Sequence, residues 1–114
     1  MKRSIDGEMV KGHTEMLILA LLNDRGPMHG YRIRQELADL SNRTVHPSFG
    51  RLYPLLAWME KTGWLKSRTE IVCKNRERKV YRITSRGATE LKVRALKWEK
   101  FSGGINRLLK NCKT

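Results

Sequence analysis

The hydrophobic period of this chain changes twice, and the changes divide it into three kinds of segment. Up to Gly63 apolar residues recur at helical spacing. From Trp64 to Thr84 they belong to extended runs, and from Ser85 a helical spacing returns and persists almost to the end. A helical half, a short β insertion and one long helix leave few architectures open to 114 residues, a length that suits one domain with an economical core.

Residues 1–10 mix charge with few apolar groups and are expected to form an N-terminal tail. Thr14 suits the N-cap of a first helix ending near Asn23. Its Met16–Leu22 stretch is nearly all apolar, which predicts burial on most sides, and Gly26-Pro27 should stop it. A second helix is expected over Gly30–Leu40, with Ile33, Leu37 and Leu40 on one face. After a polar loop, Pro47-Ser48 opens a third helix with Ser48 as N-cap. Leu52, Leu55, Leu56 and Met59 form its inner face, with Gly50, Arg51, Pro54, Trp58 and Lys61 opposite. Pro54 should loosen the first turn without breaking the helix. Gly63 suits the residue just past its end.

Leu65–Cys73 and Lys79–Thr84 carry the Ile, Val, Tyr and Thr of strands around a polar turn at 74–78, which predicts a β-hairpin. Thr84 or Ser85 should cap the last helix. There Ala88, Leu91, Ala95, Trp98, Ser102, Ile105, Leu109 and Cys112 alternate steps of three and four, a heptad seam widened by Leu96, Phe101 and Leu108. Gly103-Gly104 should interrupt and bend it. The expected fold class is mainly α with a small β-hairpin: a winged helix-turn-helix over 11–86 and a long C-terminal dimerisation helix over 87–114.

Charge narrows the function. Twenty-four Lys and Arg against eleven Asp and Glu give a formal charge of +13. Such an excess repels itself and is usually matched by a polyanion, of which nucleic acid is the commonest. The longest apolar run is too short to span a bilayer and no signal peptide is evident, so a cytoplasmic protein with no membrane partner is expected. Cys73 and Cys112 are expected as free thiols. His13, His29 and His46 share no metal-ligand spacing with them, and no cofactor is expected. The sequence Gly26-Pro27-Met28-His29-Gly30 is not a phosphate loop and no nucleophile-base pattern is present, which argues against an enzyme.

In a winged helix the second helix of the helix-turn-helix enters the major groove, its N-terminal residues toward base edges. Here that is the third helix, and Ser41–Met59 contains no acidic residue to repel phosphate. Lys66–Arg86 holds eight basic residues against two acidic ones, a local balance of +6, suited to contacts that give affinity and register but little sequence information. Arg51 suits bidentate readout of guanine, or equally a phosphate contact. Tyr31 and Tyr53 suit either phosphate contacts or packing between helices. Trp98, Phe101, Ile105 and Leu109 are too apolar to leave in water, so Leu91, Ala95, Trp98, Phe101, Ile105 and Leu109 are the expected homodimer interface. Trp98 belongs either to the dimer core or to a site where two copies bracket a flat ligand. A sequence-independent, chromatin-like nucleic-acid binder is the principal rival reading.

Particular stretches carry a family likeness. Lys11-Gly12-His13-Thr14 leads into Met16–Leu22 and is followed by Gly26-Pro27-Met28-His29-Gly30-Tyr31-Arg32-Ile33. Then come Leu52-Tyr53-Pro54-Leu55-Leu56, Glu60-Lys61-Thr62-Gly63-Trp64-Leu65 and Arg78-Lys79-Val80-Tyr81-Arg82-Ile83-Thr84. Over roughly residues 9–109 the chain resembles the PadR-like family of transcriptional regulators in its short form. The resemblance implies a winged-helix dimer on palindromic operator DNA, usually a repressor, in some members released by a small aromatic effector. Carried onto this chain, it implies DNA contacts from Tyr31 on the second helix. Ser48, Arg51 and Tyr53 fall at the start of the third, and Lys74, Arg76, Arg78 and Lys79 on the wing. Arg51, where relatives often carry a small hydroxyl residue, Asn75 in a wing tip without glycine, and Gly103-Gly104 depart from the pattern.

Overall fold

The structure, a computed structural model, describes residues 2–112, with side-chain surroundings for 13–110 and for Cys112. Helix α1 runs Lys2–Arg25. It continues through the residues expected to form a tail and past the expected cap at Thr14, which is buried within it. No proline precedes Pro27, and the strongly packed apolar half propagates the helix backward at little cost. Gly26, at φ 86°, ends it, its N–H donating to the Leu22 carbonyl (3.0 Å).

Strand β1 is only Met28–His29, and α2 follows at Gly30–Leu40. Ile33 and Leu37 are buried as expected, but Leu40 is exposed and Ala38 takes the inner place. The chain turns away beyond Ala38 through Asn42 and Arg43, both at positive φ. The Ser41 hydroxyl donates to the Leu37 carbonyl (2.6 Å) and accepts from the Val45 N–H (2.8 Å), which seats Val45 in the core instead.

Helix α3, Phe49–Thr62, stays continuous through Pro54, its sixth residue, which costs one interior hydrogen bond, that to the Gly50 carbonyl. Leu52, Leu56 and Met59 are buried and Leu55 packs at the edge of the core. Gly63 closes α3 at φ 95°, in the left-handed region that glycine enters without strain.

Strands β2, Leu65–Cys73, and β3, Arg76–Ile83, form an antiparallel hairpin, and β1 pairs with the other edge of β3 to give the order β1-β3-β2. The turn is therefore only Lys74-Asn75. The strand extends three residues earlier than expected because Arg76–Arg78 pair in the open, where polar side chains conceal the ladder. Asn75 adopts φ 58°, a conformation its short polar side chain tolerates better than most. A bulge at Val72 shifts the register between Ile71 and Cys73.

Thr84 caps α4, Ser85–Leu109: its hydroxyl donates to the Gly63 carbonyl (2.6 Å) and accepts from the Gly87 N–H (3.0 Å). A Cβ at Gly87 would overlap the Trp64 carbonyl oxygen, so glycine is what lets α4 start against the α3–β2 junction. The helix passes through Gly103-Gly104 without a break and ends in a 3-10 turn over Lys110–Cys112. Two glycines cost about 1 kcal/mol each relative to alanine, too little to end a helix formed on both sides of them.

One core joins these elements. Ile18, Leu19, Leu22, Ile33, Leu52, Leu56, Met59 and Leu65 are its fully buried side chains, each contributing about 1.5–3 kcal/mol relative to exposure. Arg94 pins α4 to α1: its guanidinium pairs with Glu15 (2.8 Å) and Glu90 (2.7 Å) and lies 4.8 Å over the Trp64 ring. Burial disfavours that charge, but hydrogen bonds to Glu90 and Glu15 outweigh it and hold the guanidinium charged.

Candidate nucleic-acid interface

The start of α3 is built around an aromatic row. Phe49 is its first residue. Its ring stacks on Tyr31 of α2, with centroids 5.9 Å apart, and on Tyr53 of α3, 5.7 Å apart, both at 21°. Arg34 of α2 lies 4.7 Å over the Phe49 ring while its Nε donates to the Pro47 carbonyl (2.6 Å). The row faces outward: Tyr31 is 58%, Phe49 36% and Tyr53 44% exposed. Tyr53 lies so close to Gly30 that a Cβ there would fall 2.6 Å from its Cε1. The two tyrosines thus belong to one packed surface that remains open to solvent.

Ser48 occupies the N-cap position with extended backbone, but its side chain makes no capping hydrogen bond; its carbonyl accepts from Arg51 and Leu52 instead. At α2 the cap is His29, whose Nδ1 accepts from the Arg32 N–H (3.3 Å). Burial holds the His29 imidazole below its ordinary range, reinforced by the Arg78 and Arg32 guanidiniums against an opposing pull from Glu70.

The hairpin stands beside this row. Residues 71–79 are all exposed. Arg68 and Arg78 share Glu70, at 3.4 and 3.3 Å. Among the described residues, Arg51, Lys74, Arg76 and Lys79 form no ion pair. Tyr53, Arg78 and Lys79 are brought together, with His29, Gly30 and Tyr81, around a cleft of about 460 Å³ between α3 and the hairpin. Ser48 and Arg51 lie outside it at the head of α3, and Lys74 and Arg76 at the hairpin tip.

The sequence-derived interface residues on α4 divide. Leu91 packs against the chain's own core, and Ala95 is half-buried. Trp98, Phe101, Ile105 and Leu109 remain exposed, as do Val93, Leu96 and Leu108. Trp98 meets His13 of α1 edge-on, with ring centroids 4.9 Å apart. With Met16, Glu90, Arg94, Lys97 and Phe101 these two rings line an α1–α4 cleft of about 410 Å³.

Phe49 and Arg34 escaped the sequence reading. An aromatic residue at the head of a helix that carries no acid before Glu60 was the available signal for Phe49. Nothing local links Arg34 to it, because the contact spans two helices. Among the described residues no helix is long and apolar enough to cross a membrane.

Three helices, a basic hairpin paired with a short third strand, and a trailing helix define a winged helix-turn-helix protein. The chain belongs to the PadR-like family of transcriptional regulators, whose family model matches residues 18–93. That is a family of regulators and not of enzymes. Similar solved structures include a PadR family regulator from Eggerthella lenta, 31% identical, covering 94% of this chain and 90% of that one at a TM-score of 0.80. A transcriptional regulator from Clostridium thermocellum is 29% identical, covering 88% of this chain and 96% of that one at a TM-score of 0.78. Bacillus subtilis PadR, solved in complex with operator DNA, is 28% identical over 68% of this chain and 44% of that one, with a TM-score of 0.63.

Proposed function

We propose that this protein is a homodimeric repressor that binds a palindromic operator through the head of α3 and the basic hairpin. The observation that carries this reading is the exposed Tyr31–Phe49–Tyr53 row at the head of α3, beside a hairpin whose Lys74, Arg76 and Lys79 have no acidic partner among the described residues. Cations without internal partners are free to replace the counterions of phosphates, and α3 fits the width of a major groove. The operator complex of the Bacillus subtilis relative supports the same use of the fold here. The exposed face of α4 (Trp98, Phe101, Ile105, Leu109) supports a two-fold partner, since a monomer rarely leaves such a stripe in water. Pairing there would present two α3 helices to half-sites about 34–36 Å apart.

Within this reading Arg51 specifies and the hairpin positions. Binding to a selected operator and to random duplex separates the two. Arg51→Ala is expected to weaken operator binding by about 1–3 kcal/mol and leave random duplex nearly unchanged. Arg76→Ala should weaken both alike. Equal losses on both duplexes for Arg51→Ala would instead make Arg51 a phosphate contact. No preference for any duplex in the native protein would favour the sequence-independent binder.

We assign a small planar aromatic effector to the α1–α4 cleft, where Trp98 and Phe101 supply ring surface. Quenching of tryptophan fluorescence by such a compound should disappear in Trp98→Phe; unchanged quenching would remove the assignment.

A further inference from the structure

We infer that Phe49 reads the C5-methyl group of thymine in the operator half-site. The inference rests on the reading above, in which α3 enters the major groove. Phe49 is the first residue of α3 and stands two residues before Arg51, where side chains of such a helix meet base edges. It is not part of the buried core, and it keeps 36% of its surface exposed despite three ring and guanidinium contacts.

Those contacts fix the ring before DNA arrives. Tyr31 and Tyr53 stack on it, and Arg34 holds it from α2 while tied to the Pro47 carbonyl. A side chain immobilised in advance loses little rotamer freedom on binding. A phenyl group carries no hydrogen-bond donor or acceptor, so it cannot bind phosphate oxygens or the polar edges of guanine, adenine or cytosine. The thymine methyl is the apolar feature that a base pair presents in the major groove, and it is a recognised partner of Phe. No acidic residue stands near in sequence to repel the strand, and Arg51 lies alongside to draw it in. The half-site should therefore contain a thymine next to, or one step from, the base pair that Arg51 contacts.

The test alters the DNA before it alters the protein. In the selected operator each thymine is replaced singly by deoxyuracil, which removes only the methyl group, and affinity is measured by fluorescence anisotropy. At one thymine per half-site the replacement should weaken binding about fourfold, the value of one buried methyl. Phe49→Leu, which keeps apolar surface, should retain a penalty at that thymine. Phe49→Ala, its fold checked by thermal unfolding, should bind thymine and uracil operators equally. The inference is overturned if every thymine can be replaced without loss, or if the penalty persists in Phe49→Ala. Failure to select any operator would instead remove the operator reading on which it stands.

Discussion

Gly30 and Tyr53 illustrate how one residue governs the proposed interface. Glycine at position 30 leaves room for the Tyr53 ring, which in turn supports Phe49 and, through it, Tyr31. Gly30→Ala should push Tyr53 aside. The ring is exposed and can move, so stability should change by less than about 1 kcal/mol while DNA affinity falls several-fold, a split that unfolding and binding assays would resolve. His29 adds a pH dependence. Its Nδ1 must be unprotonated to cap α2, and burial and two arginines make protonation harder in the fold than in the unfolded chain. Its contribution is therefore intact above the ordinary histidine value of 6.5 and is lost as pH falls below it, because the unfolded chain then takes up the proton first. Thermal unfolding between about pH 7.5 and pH 5 should show this decline, and His29→Asn, which keeps a cap acceptor without the titration, should flatten it. At this scale residue type and position pointed to Arg51, Tyr31 and Tyr53, whose contacts with DNA belong to the proposal. They did not point to Phe49, because its significance comes from Arg34 and Tyr31 on another helix.

At the scale of elements, periodicity and turn residues located α2 and α3, and the capping chemistry of Thr84 and Gly63 marked where α4 starts and α3 ends. Three features were hidden. The pair Met28–His29 is too short to show a strand period, and it becomes β1 only by pairing with Val80 and Tyr81. The start of β3 is masked by arginines that face water on an exposed hairpin. The backward extension of α1 to Lys2 follows from cooperativity, which a cap signal at Thr14 could not overrule. Gly103 and Gly104 set a further test at this scale. Both sit in helix with open space where a Cβ would project. Replacing both by alanine should stabilise α4 by about 1 kcal/mol per site and raise the midpoint of thermal unfolding. A lowered midpoint would mean that a partner helix approaches the backbone closely there.

At the scale of the molecule, charge and architecture converge on one use. A chain with a formal charge of +13 leaves Arg51 and much of its hairpin without ion pairs among the described residues, beside an exposed aromatic row. It also extends a helix whose far half carries exposed Phe101, Ile105 and Leu109. The first feature suits a polyanion and the second a copy of the same chain; together they predict two α3 helices on one duplex. Binding to fragmented genomic DNA at about 150 mM salt, where non-specific contacts are weak, followed by sequencing of what is retained, tests this most directly. A palindromic motif with half-sites one helical turn apart is the expected result, and retained fragments that share no motif would contradict it.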